Sequence, residues 1–184
     1  MLMEKVVEHC APTLAGIKTG NIFSIKNARE GKNLNSEIRE LNSVLTKKGL
    51  RLIPVRRTDR TTLFYLYRPD NLKEDLKCPE AREILSEKGY PLGNCDCCIV
   101  ELVRHLKKDE SFPHEIGLFL GYPPEDVIGF IENRAAKSKC VGCWKVYGDV
   151  EKAEAAFRKF KKCTGIYCRK FAEGTGIEKL AVNI

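Results

Sequence analysis

An α+β domain is the fold class this sequence predicts, with a small, mainly antiparallel or mixed sheet and several helices packed around it. Three observations carry it. Apolar residues recur at helical period in separate stretches, as at Leu34, Ile38, Leu41 and Leu45. Two neighbouring runs, LRLIPVRR and RTTLFYLYR, are rich in β-branched and aromatic residues and flank Thr58 and Asp59 as hairpin strands do. The chain has 184 residues, 43% apolar and 31% charged, which suits one globular domain over residues 1–184 and excludes disordered, collagen-like and disulfide-dense scaffolds.

Each element follows from local chemistry. Asn33 or Asn35 is available to cap a helix running to Lys48, and Gly49 stands just past its end. In the second strand Leu63, Tyr65 and Tyr67 fall on one face and Phe64 and Leu66 on the other, so both faces are expected to be covered. Pro54 lacks an N–H and belongs at an edge or bulge of the first strand. Two short helices follow, Asn71 to Lys77 and Pro79 to Lys88, then a loop from Tyr90 to Asn94. Cys98, Ile99, Leu102, Val103 and Leu106 make Cys95 to Lys108 helical, with a basic end that suits the helix dipole.

Further on, Pro113 opens a short apolar helix, Gly121 stops it, and Pro124 opens another whose Val127, Ile128 and Ile131 face inward. VGCWKVYGD reads as a strand ended by Gly148, and Asp149 caps a long helix striped by Val150, Ala153, Phe157 and Phe160. IEKLAVNI reads as a last strand.

Composition narrows the function classes. A net charge of +7 is too modest to mark a polyanion-binding protein by itself. Basic residues cluster at Lys47, Lys48, Arg51, Arg56, Arg57 and Arg60, and at Arg158, Lys159, Lys161, Lys162, Arg169 and Lys170, with aromatics interleaved. That pattern leaves a nucleic-acid-binding or interaction module as one reading, although interspersed acids fit a solvated helix face as well. No run is apolar enough for a membrane span, and Glu4, Glu8 and His9 stand where a secretion signal needs apolar residues, so the cytoplasm is expected.

Nine cysteines, an odd number, cannot all pair within one molecule. In a reducing compartment they are fillers, metal ligands or reactive thiols. Cys140 and Cys143 form a Cys-x-x-Cys pair able to grip a metal across a tight turn. With Cys163 and Cys168 they would make a zinc or iron-sulfur site. Cys95, Cys97 and Cys98 are the densest thiol group, but Cys98 lies on an apolar helical stripe and reads as core.

A second constellation is His9 with Cys10, and His114 with Glu115. An imidazole lowers a neighbouring thiol's pKa and a carboxylate fixes the imidazole's tautomer, the arrangement thiol chemistry needs. The competing account is that His9 and His114 cap or bridge helix ends. His105, followed by lysines, reads as a surface residue. There is no phosphate loop, no dinucleotide fingerprint and no H-E-x-x-H.

Three long motifs, HCAPTLAGIKTGNIFS, FPHEIGLFLGYPPEDVIGFI and WKVYGDVEKAEAAFRKFKKCT, span nearly the whole chain in that order. Together they resemble a bacterial family found mainly in clostridial-type anaerobes and catalogued only as a numbered domain of unknown function, family 3793. The resemblance implies a stand-alone cytoplasmic protein of about this length, with no activity to carry over. It also implies that Cys95, Cys97 and Cys143 lie outside the family pattern, which shifts weight from a metal site toward Cys10 with His114.

The leading expectation is a small cytoplasmic enzyme or ligand-binding protein for a small molecule. Its pocket would draw on the first loop, the His114–Glu115 helix and the Trp144–Asp149 strand end. Cys10 would be nucleophile or redox thiol, His114 its base or ligand, Glu115 the orienter and Lys145 an anion contact. His9, Lys18, Tyr122, Trp144, Tyr147 and Asp149 complete the polar set. The alternatives are a metal or iron-sulfur protein and a basic interaction module.

Overall fold

The structure, a computed structural model, describes residues 2–27, 34–108 and 112–183. In chain order its first elements are helix α1 (Leu2–Leu14), strand β1 (Gly20–Lys26), helix α2 (Leu34–Leu45), strand β2 (Arg51–Arg57) and strand β3 (Thr61–Tyr67). Helices α3 (Pro69–Asp75), α4 (Pro79–Glu87), α5 (Cys95–Lys108), α6 (Ile116–Phe119) and α7 (Pro124–Glu132) follow. Strands β4 (Cys140–Val141) and β5 (Lys145–Val146) and helices α8 (Val150–Ala172) and α9 (Ile177–Leu180) complete the α+β architecture. The chain divides into two compact units, Met1–Asp70 with Phe160–Ile184, and Asn71–Lys159.

The first unit holds a three-stranded antiparallel sheet of order β1-β3-β2. Central β3 is buried along Phe64, Tyr65, Leu66 and Tyr67, as residues alternating on two covered faces require. Pro54 lies on edge strand β2 beside a bulge between Pro54 and Arg56, where its missing N–H costs no ladder bond. The outer edge of β2 is closed by Asn42 of α2, which donates to Leu52 O at 2.8 Å and accepts from Leu52 N–H at 3.0 Å. Helix α2 runs on into a 3₁₀ turn over Thr46–Lys48 and ends at Gly49, whose φ of 70° is the left-handed conformation glycine tolerates. The Asn33 cap expected for α2 lies outside the described residues.

Helix α1 packs Val6, Cys10 and Leu14 into a core shared with Phe23, Leu41, Leu45, Leu52, Phe64, Leu66, Ile177 and Leu180. At the end of β3, the wholly buried Arg68 takes no carboxylate partner among the described residues. Its guanidinium donates instead to the carbonyls of Thr13 (2.8 Å), Leu14 (2.8 Å), Lys48 (3.2 Å) and Val182 (2.7 Å). Two of those carbonyls belong to the last turn of α1, where no intrahelical donor remains.

The second unit is helical apart from the β4–β5 hairpin. Helix α5 has the bounds its periodicity predicts and buries Cys98, Ile99, Leu102 and Leu106. Asp149 caps α8, accepting from Lys152 N–H at 3.1 Å.

Four expectations are corrected. VGCWKVYGD is two short strands, pairing Cys140 with Val146 and Val141 with Lys145, because the chain turns back at Gly142, whose N–H donates to Trp144 O. The expected last strand IEKLAVNI begins instead as helix α9 over Ile177–Leu180. Ile177, Leu180 and Ala181 are buried at helical spacing, a period too short to show in so brief a run. In α7, Asp126, Val127 and Gly129 are the buried positions, while Ile128 and Ile131 are only partly covered. In α8, Ala153 is the one fully buried member of the expected stripe.

Candidate functional site

Within the second unit a cavity of about 280 Å³ opens between the segment around His114, the inner face of α7 and the β4–β5 hairpin. Gly121, at a φ of 74°, follows the end of α6 and Pro124 opens α7, whereas α6 begins at Ile116 after a turn over His114 and Glu115 and is not opened by Pro113 as expected. Phe130 and Val127 come from α7, Val141, Trp144 and Lys145 from the hairpin, and Phe112 and His114 from the leading segment.

Asp126 organises this site. It is buried at 3% exposure on the first turn of α7. Its Oδ1 accepts the backbone N–H of Tyr147 and of Gly148, each at 2.7 Å, and its Oδ2 accepts the indole N–H of Trp144 at 2.7 Å. A buried carboxylate is tolerable only when its oxygens are satisfied, and these charge-assisted bonds do that while tying the hairpin to the helix.

Trp144 is held on three sides. Its indole edge meets Asp126, Tyr122 stacks on it with centroids 4.7 Å apart, and Phe157 packs edge-on at 4.6 Å. The close approach of Phe157 depends on Gly142, where an added Cβ would lie 2.2 Å from the phenyl ring. Burial pushes the Tyr122 hydroxyl up to about 12, with the Cys143 thiol adding to the shift, so this phenol stays neutral at physiological pH. His114 packs edge-on against Phe130 at 5.0 Å. The Lys145 ammonium lies 6.0 Å from the Phe130 centroid and donates to Ala135 O at 2.5 Å.

Four of the residues singled out from sequence, His114, Tyr122, Trp144 and Lys145, therefore line one cavity. Glu115 does not join them. Buried at 4% exposure, it accepts from Tyr90 Oη–H at 2.9 Å and lies 3.0 Å from His105 Nδ1. His105 Nε2 in turn lies 3.5 Å from Glu101 Oε1, so His105 is a linker between two carboxylates and not the surface residue expected. Burial first, and then the Glu115 charge, push the Tyr90 hydroxyl far above its ordinary range. Tyr147 bonds through its hydroxyl to Ala136 O at 3.0 Å, and Asp149 is occupied as the α8 cap.

The remaining candidates lie in the first unit. His9 is exposed and stacks on Phe23 at 5.7 Å. Cys10 is wholly buried in that unit's core, and burial pushes its thiol far above the ordinary range, with the Lys18 charge only partly opposing this. Lys18 donates to Gly20 O at 2.5 Å and to Asn21 Oδ1 at 3.2 Å. Cys140 and Cys143 belong to the second unit's hairpin, and Cys163 and Cys168 to the first unit's part of α8. Among the described residues no three His, Cys, Asp or Glu side chains are grouped as metal ligands.

Asp126, Val127, Phe130 and Phe112 belong to the site without a distinguishing signal in the sequence. Asp126 looks like an ordinary first-turn acid of a helix. The phenylalanines and the valine look like core.

Fold and site together define a small α+β protein with an aromatic-walled cavity in its helical unit. The chain belongs to the family described as protein of unknown function (DUF3793), which it matches over residues 6–181. No curated protein and no solved structure matches it.

Proposed function

We propose that this is a cytoplasmic small-molecule-binding protein whose site is the cavity between α7 and the β4–β5 hairpin. The observation that carries the proposal is the pairing of that cavity with exposed apolar side chains at its rim. Phe112 is 37% and Val141 70% exposed, and both line it. Apolar side chains left in water around a concave, mostly apolar wall are what a ligand-binding cleft presents. At about 280 Å³ the cavity lies just below the range of drug-sized pockets, roughly 300–1,000 Å³, which selects a compact ligand.

Cys10 takes no part in this function, because a buried, high-pKa thiol supplies no thiolate nucleophile. Nine free cysteines support a reducing compartment, and no described helix is long and apolar enough to cross a membrane.

Trp144 is the single tryptophan of the chain, so its indole reports on the site without ambiguity. Titration of isotope-labelled protein with indole is expected to shift the Trp144 Nε1–H resonance and the amides of residues 112–130 and 141–145 in a saturable manner. Shifts scattered over the chain without saturation would refute the reading.

A further inference from the structure

Resting on that reading, we propose that the ligand is a flat aromatic or heteroaromatic carboxylate, its ring held among Trp144, Phe130 and His114 and its carboxylate met by Lys145. Ring recognition follows from the walls. The indole of Trp144 is immobilised by Asp126, Tyr122 and Phe157, so its orientation is fixed before any ligand arrives. Phe130 and His114 present a second aromatic surface, already set edge to face at 5.0 Å. Preformed aromatic walls favour planar ligands, since stacking there costs little further ordering.

The charge of the ligand follows from Asp126 and Lys145, both in the wall. Asp126 has its oxygens taken up by Trp144, Tyr147 and Gly148, and is not available to a cationic ligand. Lys145 is half-buried, and one of its three N–H donors goes to a neutral carbonyl, Ala135 O. Among the described residues no carboxylate lies within ion-pair distance of Lys145; its other close neighbour is the Phe130 ring. A partly desolvated ammonium with donors to spare selects an anionic group on the ligand, and the Phe130 ring beneath it brings that group beside an aromatic surface. Carboxylate is preferred over phosphate because, among the described residues that line the cavity, Lys145 is the one lysine and none is an arginine, which matches one negative charge.

The test is calorimetric titration of the full-length protein with matched pairs, benzoate against benzamide and indole-3-carboxylate against indole-3-carboxamide. Trp144 Nε1–H is followed by NMR to confirm the site. At least one carboxylate is expected to bind about tenfold or more tightly than its amide. Lys145→Gln should remove that preference while leaving the amide's affinity within about twofold, and Lys145→Arg should restore much of it. If acid and amide bind alike and Lys145→Gln changes nothing, the charge assignment is overturned while the cavity reading stands. If neither member of either pair moves the Trp144 resonance, both are overturned. Should Lys145→Gln unfold through loss of the Ala135 contact, the acid–amide comparison on the unaltered protein and on Lys145→Arg decides the matter alone.

Discussion

The indole N–H of Trp144 is bonded to Oδ2 of Asp126 at 2.7 Å, so a hairpin side chain and the first turn of α7 share one buried carboxylate. The other oxygen of that carboxylate holds two backbone N–H groups of the chain entering α8. Replacement by alanine strands these donors in a buried setting, and Asp126→Ala is expected to cost about 3 kcal/mol. Asp126→Asn keeps the shape but cannot accept at every position, and a loss of about 2 kcal/mol is expected. Urea unfolding followed by Trp144 fluorescence measures both. A shift below about 0.5 kcal/mol for Asp126→Ala would show that the carboxylate is dispensable.

Two helical glycines give opposite expectations from the same substitution. Alanine in place of glycine on an open helix face gains about 0.5–1 kcal/mol. Gly165 of α8 has nothing within 4 Å of an added Cβ, so Gly165→Ala should stabilise by about that amount. At Gly129 of α7 the same Cβ would lie 2.5 Å from Tyr147 Cβ and 2.4 Å from its Cγ, atoms too near the backbone to swing aside. Gly129→Ala should therefore destabilise by about 1–3 kcal/mol despite its better helix propensity. Equal stabilisation by both substitutions, seen in thermal melts, would contradict this packing.

Cys10 is expected to be the slow thiol. Mass-spectrometric footprinting with iodoacetamide at pH 8 should modify exposed Cys97 and Cys143 first, and Cys10 only as the protein opens. The direction of the pKa shift sets the pH behaviour. The neutral thiol is the form the core favours, so Cys10 should gain no reactivity as pH rises through the ordinary thiol range near 8.5 while the fold persists. Cys10→Ser places a hydroxyl in the apolar core and should cost about 1–3 kcal/mol, more than Cys10→Ala. Rapid alkylation of native Cys10 would reverse the assignment and reopen thiol chemistry.

Arg68 gathers the end of α1, the 3₁₀ turn and the C-terminal segment through four carbonyls. Arg68→Met fills much of the volume but removes the donors to Lys48 O and Val182 O and leaves Thr13 O and Leu14 O with only the N–H groups of Gly16 and Val182, and a loss of about 3 kcal/mol is expected. Arg68→Lys keeps the charge but concentrates its donors on one atom that cannot span four directions, so it should rescue less than half of that loss. Hydrogen exchange should show faster opening of residues 177–182 in both variants, the segment tied through Val182. Unchanged protection there would count against the role given to Arg68.

Local chemistry determines much of this fold. Helix α5, the β2–β3 hairpin with its proline bulge, the Asp149 cap, the glycine after α6 and the proline that opens α7 are all legible within a few residues of chain. The β4–β5 turn and α9 were not, because a two-residue strand or a four-residue helix is shorter than the window in which a period can be recognised. Nor were Asp126 and Arg68 legible. Their partners lie 18 to 22 residues away for Asp126 and 20 to 114 for Arg68, and composition does not encode which distant donors and carbonyls will meet.

The residues of the candidate site divide in the same way. His114 stands out in the sequence as one half of a His-Glu pair, and Tyr122, Trp144 and Lys145 stand out because they lie inside the motifs that carry the family resemblance. Only tertiary packing separated His114, which lines the cavity, from adjacent Glu115, which is committed to Tyr90 and His105. Packing also took Cys10 out of reach of solvent by making it part of a helix whose apolar stripe fills the first unit's core. Which side of an element faces water is settled by what lies against it, and that is a property of long-range contacts.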